Sequence, residues 1–248
     1  MNGANAGIDK DLYFLNEDAV FKEIDELDVA MFQAVTESLL YKSNARAKEH
    51  FRVGLSRGYG DNGNIFGIGL RDHERTQALL VISRAEWDSN FFGREVYNGY
   101  IFVDANSDVQ LERFFQYSIA EFRKTVKVDL LSVSVNATFF ATNAALQRNG
   151  FYIRDLKSTY MISRGRAQRQ DISNVGNNRS VVSDDIEAIS EILREVRFPS
   201  RFVREPVVDQ GRVQEMYIKW VERILQRPES DRAVRVIYRG SKPVSVTA

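Results

Sequence analysis

Cysteine is absent from the 248 residues. Disulfides, thiolate metal ligands and a cysteine nucleophile are therefore excluded. Histidine is scarce, with His50 and His73 its two representatives. Without a thiol beside them, no transition-metal site is expected. An excess of charge is also missing, because 34 basic residues balance 34 acidic ones. That balance offers no electrostatic footprint for nucleic acid or an anionic membrane. No apolar run approaches the roughly 18 residues of a membrane span. The first residues, MNGANAGIDKD, have neither the basic nor the apolar region of a leader. The expectation is a soluble, cytoplasmic protein with neither nucleic-acid nor membrane partners. What the chain does have is an ordinary globular mix, 44% hydrophobic and 27% charged. That is enough apolar material for one large domain or two small ones.

Along the chain, Leu27, Met31, Ala34, Val35, Ser38 and Leu39 fall at helical spacing. IFGIGLR (65–71) and QALLVIS (77–83) read as strands around the polar turn DHERT, and EVYNGYIFVDA (95–105) as a third. Ser107 and Gln110 have the spacing of a capping box. Behind them Leu111, Phe114, Phe115, Ser118, Phe122 and Val126 form one helical stripe. LLSVSV (130–135) alternates as a strand, 138–149 suits a helix, and Gly150 stands where a terminating glycine belongs. FYIRD (151–155) and STYMIS (158–163) read as short strands. The fold class is thus α/β, a mixed central sheet flanked by helices.

RGRAQRQDISNVGNNR (164–179) has no apolar period and reads as a linker. The expected division is a first domain over 1–165, a linker over 166–178 and a second, incomplete domain over 179–248. In the last part SVV is a short strand and Ser183 an N-cap. Ile186, Ile189, Leu193 and Val196 then make a helical stripe, which Pro199 ends. Residues 210–226 form a second helix with Val213, Met216, Tyr217, Trp220, Val221 and Ile224 inward. AVRVIY (233–238) and VSVT (244–247) form a hairpin.

Three motifs fail on context. GLSRG (54–58) has the pattern of a nucleophile elbow, but a glycine-rich loop follows it instead of a helix, and no late histidine exists. Gly58, Gly60 and Gly63 spell a dinucleotide fingerprint, yet they precede a strand rather than a helix. Asp61, Asn62 and Asn64 lack the spacing and bidentate glutamate of a calcium loop.

RAEWDSNFFG (84–93) sets an indole, two phenyl rings and polar groups in a short stretch that reads as a non-helical turn. Two readings stand. Asp88 and Ser89 could bond a sugar or nucleotide while Trp87, Phe91 and Phe92 supply a stacking wall. Alternatively Asp88 makes an Asx-turn and the rings anchor the turn in a core. Arg201, in SRFVREP, could take a phosphate bidentately or pair with Glu205.

Trp87 to Gly93 spell W-D-S-x-F-F-G. Leu146, Gly150 and Phe151 spell L-x-x-x-G-F, and Arg201-Phe202 precedes Tyr217-x-x-Trp220. On these segments the chain resembles the two-part N-acetyltransferases of the GNAT superfamily typified by dTDP-fucosamine acetyltransferase. The resemblance implies acetyl-CoA as co-substrate and no metal. It implies a small-molecule amine acceptor, a nucleotide-linked amino sugar of polysaccharide synthesis. Trp87, Asp88, Ser89, Phe91, Phe92, Arg201 and Phe202 would then face the acceptor.

The resemblance also has a gap. The family's diphosphate loop, Gln/Arg-x-x-Gly-x-Gly/Ala, has no counterpart: VDANSDVQLE (103–112) contains no glycine, and the second half reaches Ala248 before such a loop. The expectation is an incomplete acetyltransferase. The alternative is a non-catalytic module that pairs with another chain, for example as a homodimer through the edge of its C-terminal sheet.

Overall fold

The computed structural model describes residues 12–27, 45, 48–49, 51–53, 55, 65–73, 75–104, 110–155, 177–180, 185–195, 200–203, 205–225, 235–239 and 242–247. The chain divides into two compact units, Met1–Tyr152 and Ile153–Ala248.

Unit 1 opens with strand β1 (Leu12–Leu15) and helix α1 (Glu17–Glu26). Asn16 caps α1 by accepting the Ala19 N–H at 3.0 Å. Strands β2 (Ile65–Asp72) and β3 (Arg75–Arg84) follow as a hairpin, then the short helix α2 (Glu86–Phe92) and strand β4 (Val96–Val103). Helix α3 (Leu111–Thr125) crosses over to strand β5 (Leu130–Ser134), and helix α4 (Phe140–Arg148) completes the unit. The sheet order is β1-β2-β3-β4-β5, antiparallel throughout except for the parallel pair β4/β5.

Both faces of this sheet are covered, which is why β3 reads as a continuous apolar run. Ala78, Leu80 and Ile82 face a cluster with Tyr97, Ile101, Phe114, Phe115, Phe122 and Leu146. Leu79 and Val81 pack instead with Phe102, Val20 and Ile24, and with the helical residues Phe51 and Leu55. α4 ends in a Schellman motif: Phe151 N–H donates to Leu146 O at 3.1 Å and Gly150 N–H to Gln147 O at 3.0 Å. Gly150 takes the left-handed φ of 84° that this motif needs.

Unit 2 contains strand β6 (Asn177–Ser180), helices α5 (Ile186–Glu195) and α6 (Gln210–Leu225), and strands β7 (Arg235–Arg239) and β8 (Lys242–Thr247). Its antiparallel sheet has the order β6-β7-β8. Ile189 and Leu193 of α5 meet Val221 and Ile224 of α6 and Tyr238 of β7 in its core.

Several expectations change. EWDSNFFG is a helix, not an irregular turn, with Gly93 closing it in the left-handed region at φ 64°. Gln110 stands at the N-cap of α3, so it is not the third residue of that helix as a capping box would require. Residues 151–155 are not a strand, because the chain leaves α4 through the Schellman turn without entering a ladder. A strand, Asn177–Ser180, begins within the end of the stretch expected to be linker and reaches only the first residue of the expected SVV strand. Trp220 is 40% exposed on α6 instead of facing inward. β1 and α1 were not anticipated. The helix expected over 27–41 lies outside the described residues except Leu27, which ends α1. The glycine-rich loop, Ser107, STYMIS, Ser183 and Pro199 also lie outside them.

Among the described residues no helix is long and apolar enough to cross a membrane, and no group of three His, Cys, Asp or Glu could hold a metal.

Candidate functional site

The one parallel pair in unit 1 ends unevenly. β4 pairs with β5 from Val96↔Leu130 to Tyr100↔Ser134. Ile101, Phe102 and Val103 keep their β3 partners but have no β5 partner among the described residues. The carboxyl ends of parallel strands are where open α/β sheets leave a crevice. The walls here are well fixed. Asp104, 3% exposed, donates its N–H to Gln77 O at 2.9 Å, and its carboxylate accepts from Arg75 Nη2 at 2.8 Å. On the β5 side, Asn136 Oδ1 accepts the Thr138 N–H at 3.0 Å and the Thr138 hydroxyl at 2.9 Å. Asn143 Nδ2 donates to Asn136 O at 3.2 Å and Phe139 O at 2.9 Å, fixing the start of α4.

α2 lies at the other end of β4. It joins the carboxyl end of β3 to the amino end of β4, where Arg84 stands opposite Tyr97. Glu86 and Asp88 in its first turn suit the positive end of the helix. Trp87 and Phe91, one turn apart, stack with centroids 5.4 Å apart and planes at 19°. Phe91 meets the buried Phe92 edge-on at 5.0 Å. Ser89 is 2% exposed; its hydroxyl accepts the Val96 N–H at 3.1 Å and donates to Val96 O at 3.2 Å. Ser89 and Phe92 therefore pin α2 to the sheet, while Trp87, Asp88 and Phe91 are half-buried.

Ser89→Ala is expected to cost about 1–3 kcal/mol in a urea titration, because it leaves the buried Val96 N–H unpaired. A variant as stable as the parent would show that the hydroxyl is not the pin.

An ionic lock secures the same end. Arg84 Nε and Nη2 reach Glu95 at 2.8 and 3.1 Å. The Glu95 N–H donates to Asp129 Oδ2 at 2.8 Å, tying the start of β4 to that of β5. The Arg84 guanidinium holds the Glu95 carboxyl below its ordinary range. The Glu95 N–H does the same for Asp129. Burial pushes the Tyr97 phenol up.

Arg201 and Phe202 belong to unit 2. Phe202 is buried, and the Arg201 guanidinium lies 4.7 Å over its ring. The buried Glu205 carboxylate accepts from Arg154 Nε at 2.6 Å. Gln210 Nε2 donates to Phe202 O at 3.1 Å and Glu205 O at 3.0 Å. The five residues of α2 are thus brought together on one helix, and Arg201 and Phe202 are brought together in a second unit. An open groove of about 360 Å³ runs between α5 and α6, lined by Arg194, Gln214, Glu215, Ile218, Lys219 and Glu222. Lys219 is already paired with Glu222 at 2.9 Å.

Sequence reasoning did not find Asp104, nor the buried Glu23, which accepts from Tyr13 Oη at 2.6 Å and also from Thr76 Oγ1 and Arg71 Nη2. Both are buried acids whose partners are distant in sequence.

No protein-family model matches the sequence. The chain is 24% identical over 159 residues to the spore coat polysaccharide biosynthesis protein SpsD of Bacillus subtilis (strain 168), covering 62% of this chain and 53% of SpsD. It therefore spans about half the length of that curated relative. Similar solved structures include a probable acetyltransferase, with TM-score 0.40 and 11% identity, covering 61% of this chain and 97% of that one. They also include the aminoglycoside acetyltransferase meta-AAC0020 from an uncultured soil metagenomic sample, in complex with sisomicin. Its TM-score is 0.39 and its identity 10%, covering 62% of this chain and 99% of that one. The ribosomal-protein-alanine N-acetyltransferase of Brucella melitensis has TM-score 0.37 and 12% identity, covering 62% of this chain and 98% of that one.

Proposed function

We propose that this chain is a GNAT-type acyltransferase unit, moving an acetyl group from acetyl-CoA to the amine of a nucleotide-linked amino sugar. The observation that carries the reading is the parallel β4/β5 pair, which parts after Tyr100 in an otherwise antiparallel sheet. The amides of Ile101 and Val103, on the β5 side of the strand, give the arm of a thioester donor a strand edge to bond. One of them can also donate to the thioester carbonyl as its oxygen gains charge. The W-D-S-x-F-F-G segment supports the same family. The similarity to SpsD, whose name refers to polysaccharide synthesis, supports a saccharide acceptor.

The acceptor would rest on the exposed side of α2, against Trp87, Asp88 and Phe91, with Ser89 and Phe92 holding that helix. Separately, within unit 2, Arg201 is proposed as a contact for a phosphate, with the buried Phe202 ring beneath its guanidinium. β4 is eight residues long, about 27 Å at ~3.4 Å per residue. Donor and acceptor would therefore approach each other from opposite ends of the strand. The neutral amine attacks the carbonyl carbon, the C–S bond breaks, CoA leaves as the thiolate, and the ammonium proton passes to solvent. With no cysteine in the chain, transfer is direct instead of passing through a thioester on the protein.

Donor affinity would be low. VDANSDVQLE supplies no glycine for close approach to a diphosphate, and Glu112 places an acid in the first turn of α3. Calorimetric titration with acetyl-CoA is expected to give one-to-one binding with a Kd of about 1 mM, near −4 kcal/mol. A folded chain that binds no acetyl-CoA would end this reading in favour of a non-catalytic module. That second reading draws on the same missing glycine.

A further inference from the structure

β3 serves its two neighbours in different registers. Toward β2 the pairing runs from Ile65↔Ser83 to Leu70↔Ala78 and resumes at Arg71↔Thr76, so Gln77 is the extra residue of a β-bulge. Toward β4 no residue is skipped. The Ala78↔Val103 pair is followed by Gln77, whose carbonyl accepts the Asp104 N–H at 2.9 Å. β3 thus holds the tail of β4 beyond Tyr100, the last β4 residue that pairs with β5.

The extra residue also re-aims the one before it. Leu79 and Val81 face the cluster that contains Val20 and Ile24 of α1. Strict alternation would turn Thr76 to the opposite face. Its hydroxyl instead donates to the buried Glu23 of α1, which anchors the chain beside the bulge. The neighbouring Arg75 places Nη2 2.8 Å from the Asp104 carboxylate, with Arg75 60% exposed and Asp104 3%. Stability alone is a weak reason for burying such an acid, since well-packed apolar residues often serve as well or better.

We propose that Asp104 is a positioning residue for the thioester donor, supported by Arg75 and by the bulge at Gln77. Together they keep the tail of β4 on β3, so that the Ile101 and Val103 amides stay aimed to the β5 side. Such donors are effective only when fixed before the carbonyl oxygen gains charge, because reorienting them during the reaction costs free energy. A tail that frayed from β3 would let both amides swing. Asp104 acts through these amides and needs no contact with donor or acceptor. The inference rests on the acyltransferase reading, whose donor edge it holds in place.

Amide hydrogen exchange and acetyl-CoA binding, both read by NMR on the full chain, test it. In Arg75→Ala the Asp104 amide should exchange roughly tenfold faster, while amides at the centre of β3 keep their rates. Acetyl-CoA should bind that variant roughly tenfold more weakly than the parent. Arg75→Lys keeps the charge and should recover part of both losses. Asp104→Asn keeps the shape without the charge and should behave as Arg75→Ala. If Asp104→Asn does not fold, the variants of the exposed Arg75 decide. A purely structural pair would speed exchange throughout the sheet and leave the affinity of the folded chain unchanged. That result, or an Asp104 amide as slow in Arg75→Ala as in the parent, would overturn the positioning role and leave the acyltransferase reading standing. A folded parent that binds no acetyl-CoA would remove that reading, and the positioning role with it.

Discussion

Glu23→Ala is expected to destabilise unit 1 by about 3 kcal/mol, the low end for breaking a buried ion pair. Glu23 lies on α1 and is 5% exposed. It accepts from Tyr13 of β1, Arg71 of β2 and Thr76 of β3, so one carboxylate gathers the helix and three strands. The Arg71 guanidinium also lies 4.1 Å over the Tyr13 ring. Gly69 makes room for that ring, since a Cβ there would come within 2.1 Å of Tyr13 Cζ. Removing Glu23 leaves the Tyr13 and Thr76 hydroxyls bonded only to each other, at 3.0 Å, and Arg71, whose side chain is 38% exposed, regains water. That partial rehydration keeps the loss near the low end. Urea titration followed by Trp87 fluorescence in a Trp220→Phe background would report on unit 1 alone, since these are the two tryptophans. Glu23→Gln should lose less, keeping an acceptor for Tyr13 while turning an amide donor toward Arg71.

The same cluster sets an alkaline limit. Burial first, and then the Glu23 carboxylate, push the Tyr13 phenol well above its ordinary value. The folded chain thus holds a proton that the unfolded chain releases near pH 10. Its contribution to stability is complete below about pH 10 and is lost as pH rises beyond it. The melting temperature should fall more steeply above about pH 10 in the parent than in Tyr13→Phe. Some slope should remain in that variant, because burial raises Tyr97 as well.

Glu23 also explains why α1 was not legible in the sequence. Val20, Glu23 and Ile24 form its buried face, so an acid interrupts the apolar stripe. Its partners are 10, 48 and 53 residues away, beyond any local pattern. β6, Asn-Asn-Arg-Ser, has no apolar residue and is a strand because β7 pairs with it. By contrast β2, β3 and β4 were legible, since their apolar runs serve two cores at once, one on each face. The stripe of α3 and the glycine after α4 were legible because each is a local device. At the candidate site the aromatic cluster could be read from residue types. That it is a seven-residue helix could not, because fewer than two turns give an apolar stripe no room to repeat. That it stands at the end of β4 away from the parted strands follows from topology, which no spacing encodes.

Phe122→Ala is expected to cost more, about 3–5 kcal/mol. Phe122 is 2% exposed near the end of α3. Its ring meets Tyr97 of β4 edge-on at 5.1 Å and Phe66 of β2 at 5.5 Å. Aromatic pairs of this kind add to the loss from the empty volume. Phe122→Leu should cost less than half as much, since it refills most of the space. Phe140→Ala, at a residue 80% exposed, should stay within about 0.5 kcal/mol. The comparison also bears on where a donor binds. α3 runs back along the sheet, so Phe122 rests on Tyr97 near the amino end of β4, while Gln110 marks the carboxyl end. Phe122→Leu should therefore loosen the seat of α2 and leave acetyl-CoA affinity unchanged wherever the chain is folded. A fall in that affinity without unfolding would place the donor beside α2, and the parted ends of β4 and β5 would lose their assignment.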